Sequence, residues 1–87
     1  MVRVVLPSLL DSYTEARREL ELEATTLAEA FAALEARFPG LRFRLVDEQG
    51  RLRRHINAFV GGQLVRDLQT PLAAGQTLQL VGALSGG

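Results

Sequence analysis

Val2, Val4 and Leu6 alternate with Arg3 and Val5 and stop at Pro7, a pattern that predicts a first strand. A polar, turn-rich stretch over 8–14 follows. Glu19-Leu20-Glu21-Leu22-Glu23 then alternates strictly, with two leucines on one face and three carboxylates on the other, as a half-buried antiparallel strand requires. The period changes at Thr26: with Glu29 three positions on, it forms the signature of a capping box. Leu27, Ala30, Phe31, Leu34 and Phe38 recur at helical spacing and predict one apolar stripe, ended by Pro39-Gly40. Residues 41–54 fit two templates, because Leu41, Phe43 and Leu45 alternate like a strand while their flanks allow a helical turn. Asp47-Glu48-Gln49-Gly50 is a turn in either case. Ile56, Ala58 and Val60 alternate with Asn57 and Phe59, and Gly61-Gly62 joins them to Gln63-Leu64-Val65 as a hairpin whose primed turn needs positive φ. A connection over 71–75 leads to a last strand over 77–82.

Strand, strand, helix, strand, strand, strand in 87 residues predicts a single α+β domain over 1–82: a mixed sheet of four to five strands on one main helix, with the first and last strands parallel at its centre. Residues 83–87 are expected to form a flexible tail. The chain is too short for a separate catalytic domain. Without cysteine it has no disulfide, no thiolate metal site and no cysteine nucleophile. Net charge is zero, yet residues 11–35 hold seven acids and residues 37–54 hold six arginines. All ten basic residues are Arg, so side-chain isopeptide acceptors are absent. No apolar run approaches the roughly 20 residues of a membrane span, and the start Met1-Val2-Arg3 lacks a secretory apolar stretch, which places the chain in the cytoplasm as an expectation.

The residues that carry chemistry come last. Gly86-Gly87 follows the strand-like run Thr77 to Val81 almost at once, and two residues without Cβ can thread a narrow channel and present a carboxylate. Extended, residues 83–87 reach about 17 Å at roughly 3.3 Å per residue. A terminal carboxylate, with a pKa of about 3.5, is ionised at neutral pH and is a poor electrophile until activated.

This element order with a terminal Gly-Gly resembles the ubiquitin-like β-grasp sulfur carriers, including the molybdopterin synthase small subunit, the thiamine-pathway carrier and carriers for cysteine synthesis and tRNA thiolation. The resemblance covers the whole chain, through Ile56-Asn57-Ala58-Phe59-Val60, the approach Leu72 to Leu78, and the ending Gly82-Ala83-Leu84-Ser85-Gly86-Gly87. It implies that an adenylating enzyme uses ATP to activate Gly87, and that a sulfur donor displaces AMP to leave a thiocarboxylate. Gly86, Ser85 and Leu84 would thread the partner's active site. The carrier itself is then not an enzyme and binds no cofactor or metal. The implied partners are the adenylating enzyme and a sulfur-accepting biosynthetic enzyme such as a molybdopterin synthase large subunit. The molybdopterin pathway is the first expectation, and cysteine synthesis or thiolation the next. A second reading is a ubiquitin-like modifier joined through Gly87 to target lysines, and a third is a binding module with an incidental end.

Alternation adds a docking surface: with Val4, Leu80 and Ala58 facing the helix, Val5, Val81 and Phe59 emerge on the other face. His55, the single histidine, reads as a surface residue at a strand start. Asn57 and Asp67 read as loop-bonding and turn residues. The arginines at 42, 44, 51, 53 and 54 read as a solvated face, with nucleic acid and membrane not expected as partners.

Overall fold

A computed structural model describes residues 1–82. The expected tail over 83–87, with Leu84, Ser85, Gly86 and Gly87, lies outside the described residues. Five strands form a single mixed sheet: β1 (Val2–Val5), β2 (Glu19–Leu22), β3 (Ile56–Val60), β4 (Gln63–Val65) and β5 (Thr77–Gly82), in the order β2-β1-β5-β3-β4. β1 and β5 run parallel at the centre, with Val4 opposite Leu78, and every other pair is antiparallel. This is the β-grasp order expected from the sequence.

The strand alternation sorts residues onto the expected faces. Val2, Val4, Leu20, Leu22, Ile56, Ala58, Leu78 and Leu80 are buried against the helices. α2 (Leu27–Arg37) supplies the opposing surface with Leu27, Ala30, Phe31 and Leu34, and Phe38 extends it just past the helix end. The hairpin between β3 and β4 turns on Gly61 (φ 58°) and Gly62 (φ 85°), a two-residue primed turn that pairs Val60 with Gln63.

Two segments depart from the simplest reading of the sequence. The polar stretch after β1 is ordered into a 3-10 turn over Ser8–Leu10 and a short helix α1 (Asp11–Thr14), which bury Leu10 and Thr14. The Thr14 hydroxyl donates to the carbonyl of Leu10 at 3.2 Å, so its polar atom enters the interior satisfied. The two-way segment resolves as a helix, α3 (Leu41–Leu45), because Leu41 and Leu45 bury one face at i, i+4 while Phe43 is left 56% exposed. Beyond α3, Val46 bridges Leu52 around the expected turn at Asp47–Gly50, where Gly50 N–H donates to the Asp47 carbonyl.

Candidate functional site

β5 carries the chain to the expected reactive end, and it is paired on both sides, to β1 and to β3. Its last residue, Gly82, stands opposite Ile56. A Cβ built on Gly82 would lie 2.5 Å from Leu9 Cδ2, well inside contact distance, so the absent side chain is the seat of Leu9. The root of the tail is thereby packed on the helix side by a residue of the 3-10 turn. The sequence pattern contains no signal for this contact, which joins positions 73 residues apart.

The proposed docking residues do share the sheet face opposite the helices, and all three are half-buried. Register sets their spacing. Val5 and Phe59 both stand opposite Gln79 on β5, from its two sides, and Val81 stands opposite Asn57, diagonal to Phe59. The face is therefore a row with a polar centre. Leu64, 52% exposed, stands directly opposite Phe59 and extends the row outward. The sequence held the signal for Leu64: a two-residue turn at Gly61-Gly62 fixes 59 against 64, placing both on one face. Within the Arg-rich segment, α3 packs against α2.

Two of those arginines are held against aromatic rings. Arg53 stacks at 4.7 Å over the Phe43 ring and donates Nε to the Phe43 carbonyl at 2.7 Å. Arg44 lies 5.0 Å from the centroid of the Tyr13 ring and donates to its hydroxyl. Arg66, which no pattern singled out, reaches back from beyond β4. Its guanidinium donates to the carbonyls of Leu52, Arg53 and Ile56 at 3.2, 2.9 and 3.0 Å, and to Asn57 Oδ1 at 3.1 Å. Asn57 thus bonds a neighbouring loop, as expected. Asp67 is a turn residue, accepting from the amides of Gln69 and Thr70. His55 is exposed where β3 begins.

Four carboxylates are held below their ordinary values by what they accept: Asp11 from the Arg18 guanidinium, Glu29 from the Thr25 amide and hydroxyl, Glu35 from the amides of Gly40 and Arg42, and Asp47 from the amides of Arg51 and Gln49. All four bond local backbone or a surface arginine. Among the described residues no three metal-ligating side chains converge.

A sheet of this order whose central strand leads to Gly-Gly narrows the comparison, and the model of the ThiS family matches residues 4–87. The chain belongs to this family of ubiquitin-like sulfur carriers. It is 31% identical over 91 residues to the sulfur carrier protein CysO of Mycobacterium tuberculosis, across 99% of this chain and 98% of that protein. The matching chain of the Amycolatopsis orientalis BexX/CysO complex superposes with a TM-score of 0.91 at 31% identity, covering 100% of both chains. The small archaeal modifier protein SAMP1 of Haloferax volcanii superposes with a TM-score of 0.77 at 28% identity over 99% of this chain and 98% of that one. The ThiS-family ending thus extends over the segment that follows the described residues.

Proposed function

We propose that this chain carries sulfur on Gly87. An adenylating enzyme joins the terminal carboxylate to the α-phosphate of ATP with release of pyrophosphate. A sulfur donor then displaces AMP, leaving a thiocarboxylate whose sulfur passes to a biosynthetic enzyme. The carrier acts as a protein co-substrate and contributes no catalytic group; ATP is bound by its partner. One observation carries the reading: the family match runs to residue 87, onto a Gly-Gly that occupies the fourth and fifth positions beyond the innermost strand. Relatives named CysO favour the cysteine type of carrier, and the molybdopterin pathway, with its large subunit as partner, has no support among these similarities. We place the protein in the cytoplasm; among the described residues no helix is long and apolar enough to cross a membrane.

Gly86 and Ser85 give the clearance with which an enzyme closes around the end, and Leu84 offers it one apolar contact. Ordering such a tail costs about 1 to 2 kcal/mol per residue in backbone entropy, so the partner must offset this through main-chain hydrogen bonds and a docking surface. The row of Val5, Phe59 and Leu64 with Val81 is that surface. Phe59→Arg is expected to leave the unfolding transition in place while slowing ATP-dependent activation of Gly87; an unchanged rate removes this face from the reading.

The similarity to a small archaeal modifier protein favours a second reading, conjugation of Gly87 to lysines of other proteins. Intact-mass measurement separates the two. Exchange of one oxygen for sulfur on the free protein is the expected result, whereas diglycine remnants on other proteins' lysines, with no sulfur on the free form, would replace the carrier by the modifier.

A further inference from the structure

Leu9, Tyr13, Arg44 and His55 line a groove on the helix side of the sheet, at the end where β5 runs out. It begins at the tail root, because Leu9 is the residue seated on Gly82, and His55 precedes the residue that pairs with Gly82. Gly82 is the last described residue, so this groove adjoins the point from which residues 83–87 leave β5.

The charge of the groove defines what fits it. Arg44 is exposed, and among the described residues its guanidinium has no carboxylate within ion-pair distance. It is nonetheless fixed in place, by the Tyr13 ring and hydroxyl. The lining holds no Asp or Glu. Three acids of the flanking segments are engaged elsewhere: Asp11 by Arg18 at 2.7 and 2.8 Å, Glu35 by the amides of Gly40 and Arg42 at 2.9 Å each, and Asp47 by the amides of Gln49 and Arg51 at 2.9 and 3.0 Å. A cation held in one orientation against an aromatic wall, with no internal counter-charge, is prepared for a carboxylate brought from outside.

We infer that this groove is a second contact for the adenylating enzyme and receives an acidic loop of it, with an Asp or Glu side chain meeting Arg44 beside the tail root. The inference rests on the carrier reading above. An acidic protein segment is favoured over nucleic acid because the groove begins at Gly82, where the segment that the carrier reading gives to an enzyme starts, and because the chain as a whole has zero net charge.

The test measures pyrophosphate release by the adenylating enzyme encoded in the same genome, with the full chain as the varied substrate. Arg44→Glu is expected to raise KM for the carrier by about tenfold while leaving kcat nearly unchanged, and Arg44→Lys to restore most of the loss. Added salt should raise KM for the wild type and leave that of Arg44→Glu almost flat. Ser12→Glu, which adds a negative charge to the lining without removing an observed contact, should raise KM in the same direction even if Arg44→Glu unfolds. Unchanged KM in the variants, with the wild type active, overturns the groove contact alone. Absence of wild-type activation overturns the carrier reading, and this inference falls with it. Binding of transfer RNA that is lost in Arg44→Glu, with KM unmoved, assigns the groove to nucleic acid and likewise overturns it.

Discussion

At Gly82 a missing Cβ decides whether Leu9 has a seat, and the consequence can be measured. Gly82→Ala forces the Leu9 side chain to move, since the new carbon would also meet Leu9 Cβ at 3.3 Å and Cγ at 3.4 Å. Because the nearest atom is the far end of an exposed side chain, the cost should stay below the roughly 1 to 3 kcal/mol of overpacking a closed core, and the thermal midpoint should fall by a few degrees at most. Leu9 is 39% exposed, and Leu9→Ala alone should cost little. The double variant Leu9→Ala with Gly82→Ala is expected to be more stable than Gly82→Ala by itself, a coupling that calorimetry of the four proteins would read directly. Additive losses would mean that the two residues do not compete for one space. Nothing in the hydrophobic pattern marks this pair, because a glycine at a strand end reads the same whether it leaves room for a neighbour or merely ends the strand. Leu64 beside Phe59 is the opposite case: turn length and a period of two were enough to place it.

The start of α2 shows which part of an element is local. Thr26 Oγ1 accepts from the Glu29 amide at 3.1 Å, as the sequence motif predicts. The return arm is shifted by one residue, because Glu29 Oε1 accepts from the amide and hydroxyl of Thr25 at 2.8 Å. The first helical amides go to distant partners, Leu27 N–H to the Thr70 carbonyl and Ala28 N–H to that of Leu68, while Thr26 bridges Pro71. Thr26→Ala is expected to cost about 1 kcal/mol in urea unfolding, and Thr26→Ser much less. The cap was legible because capping is a matter of three or four consecutive residues. Its tertiary partners were not, since they come from forty or more positions away. α3 was undecided for a related reason: over five residues, apolar positions at 41, 43 and 45 satisfy a period of two as well as one helical turn. The tie is broken by tertiary packing, which buries 41 and 45 and leaves Phe43 outside under Arg53.

For the molecule as a whole, the depressed carboxylates set the response to acid. Asp11, Glu29, Glu35 and Asp47 all titrate lower in the folded chain than their ordinary values of 3.8 for Asp and 4.5 for Glu. A group whose folded pKa is lowered contributes stability that is fully present above its unfolded value and is lost as pH falls through the folded one. Urea midpoints should therefore be flat from about pH 7 to about pH 5 and decline below about pH 4, with Glu35→Gln giving a shallower acid limb. The sheet order was legible from the sequence because five short alternating runs, one capped helix and one primed turn leave few ways to cover a single core. The surface chemistry was legible only in composition: the Arg cluster was visible as a run of charge, but its fixing by Tyr13, Phe43 and backbone carbonyls depends on which loops meet. The placement of β5 between β1 and β3 has one more consequence. Tension applied beyond Gly82 acts along the strand axis and strains both flanking ladders in shear, so their bonds share the load instead of parting one after another. A pull on this end therefore meets the resistance of both ladders at once.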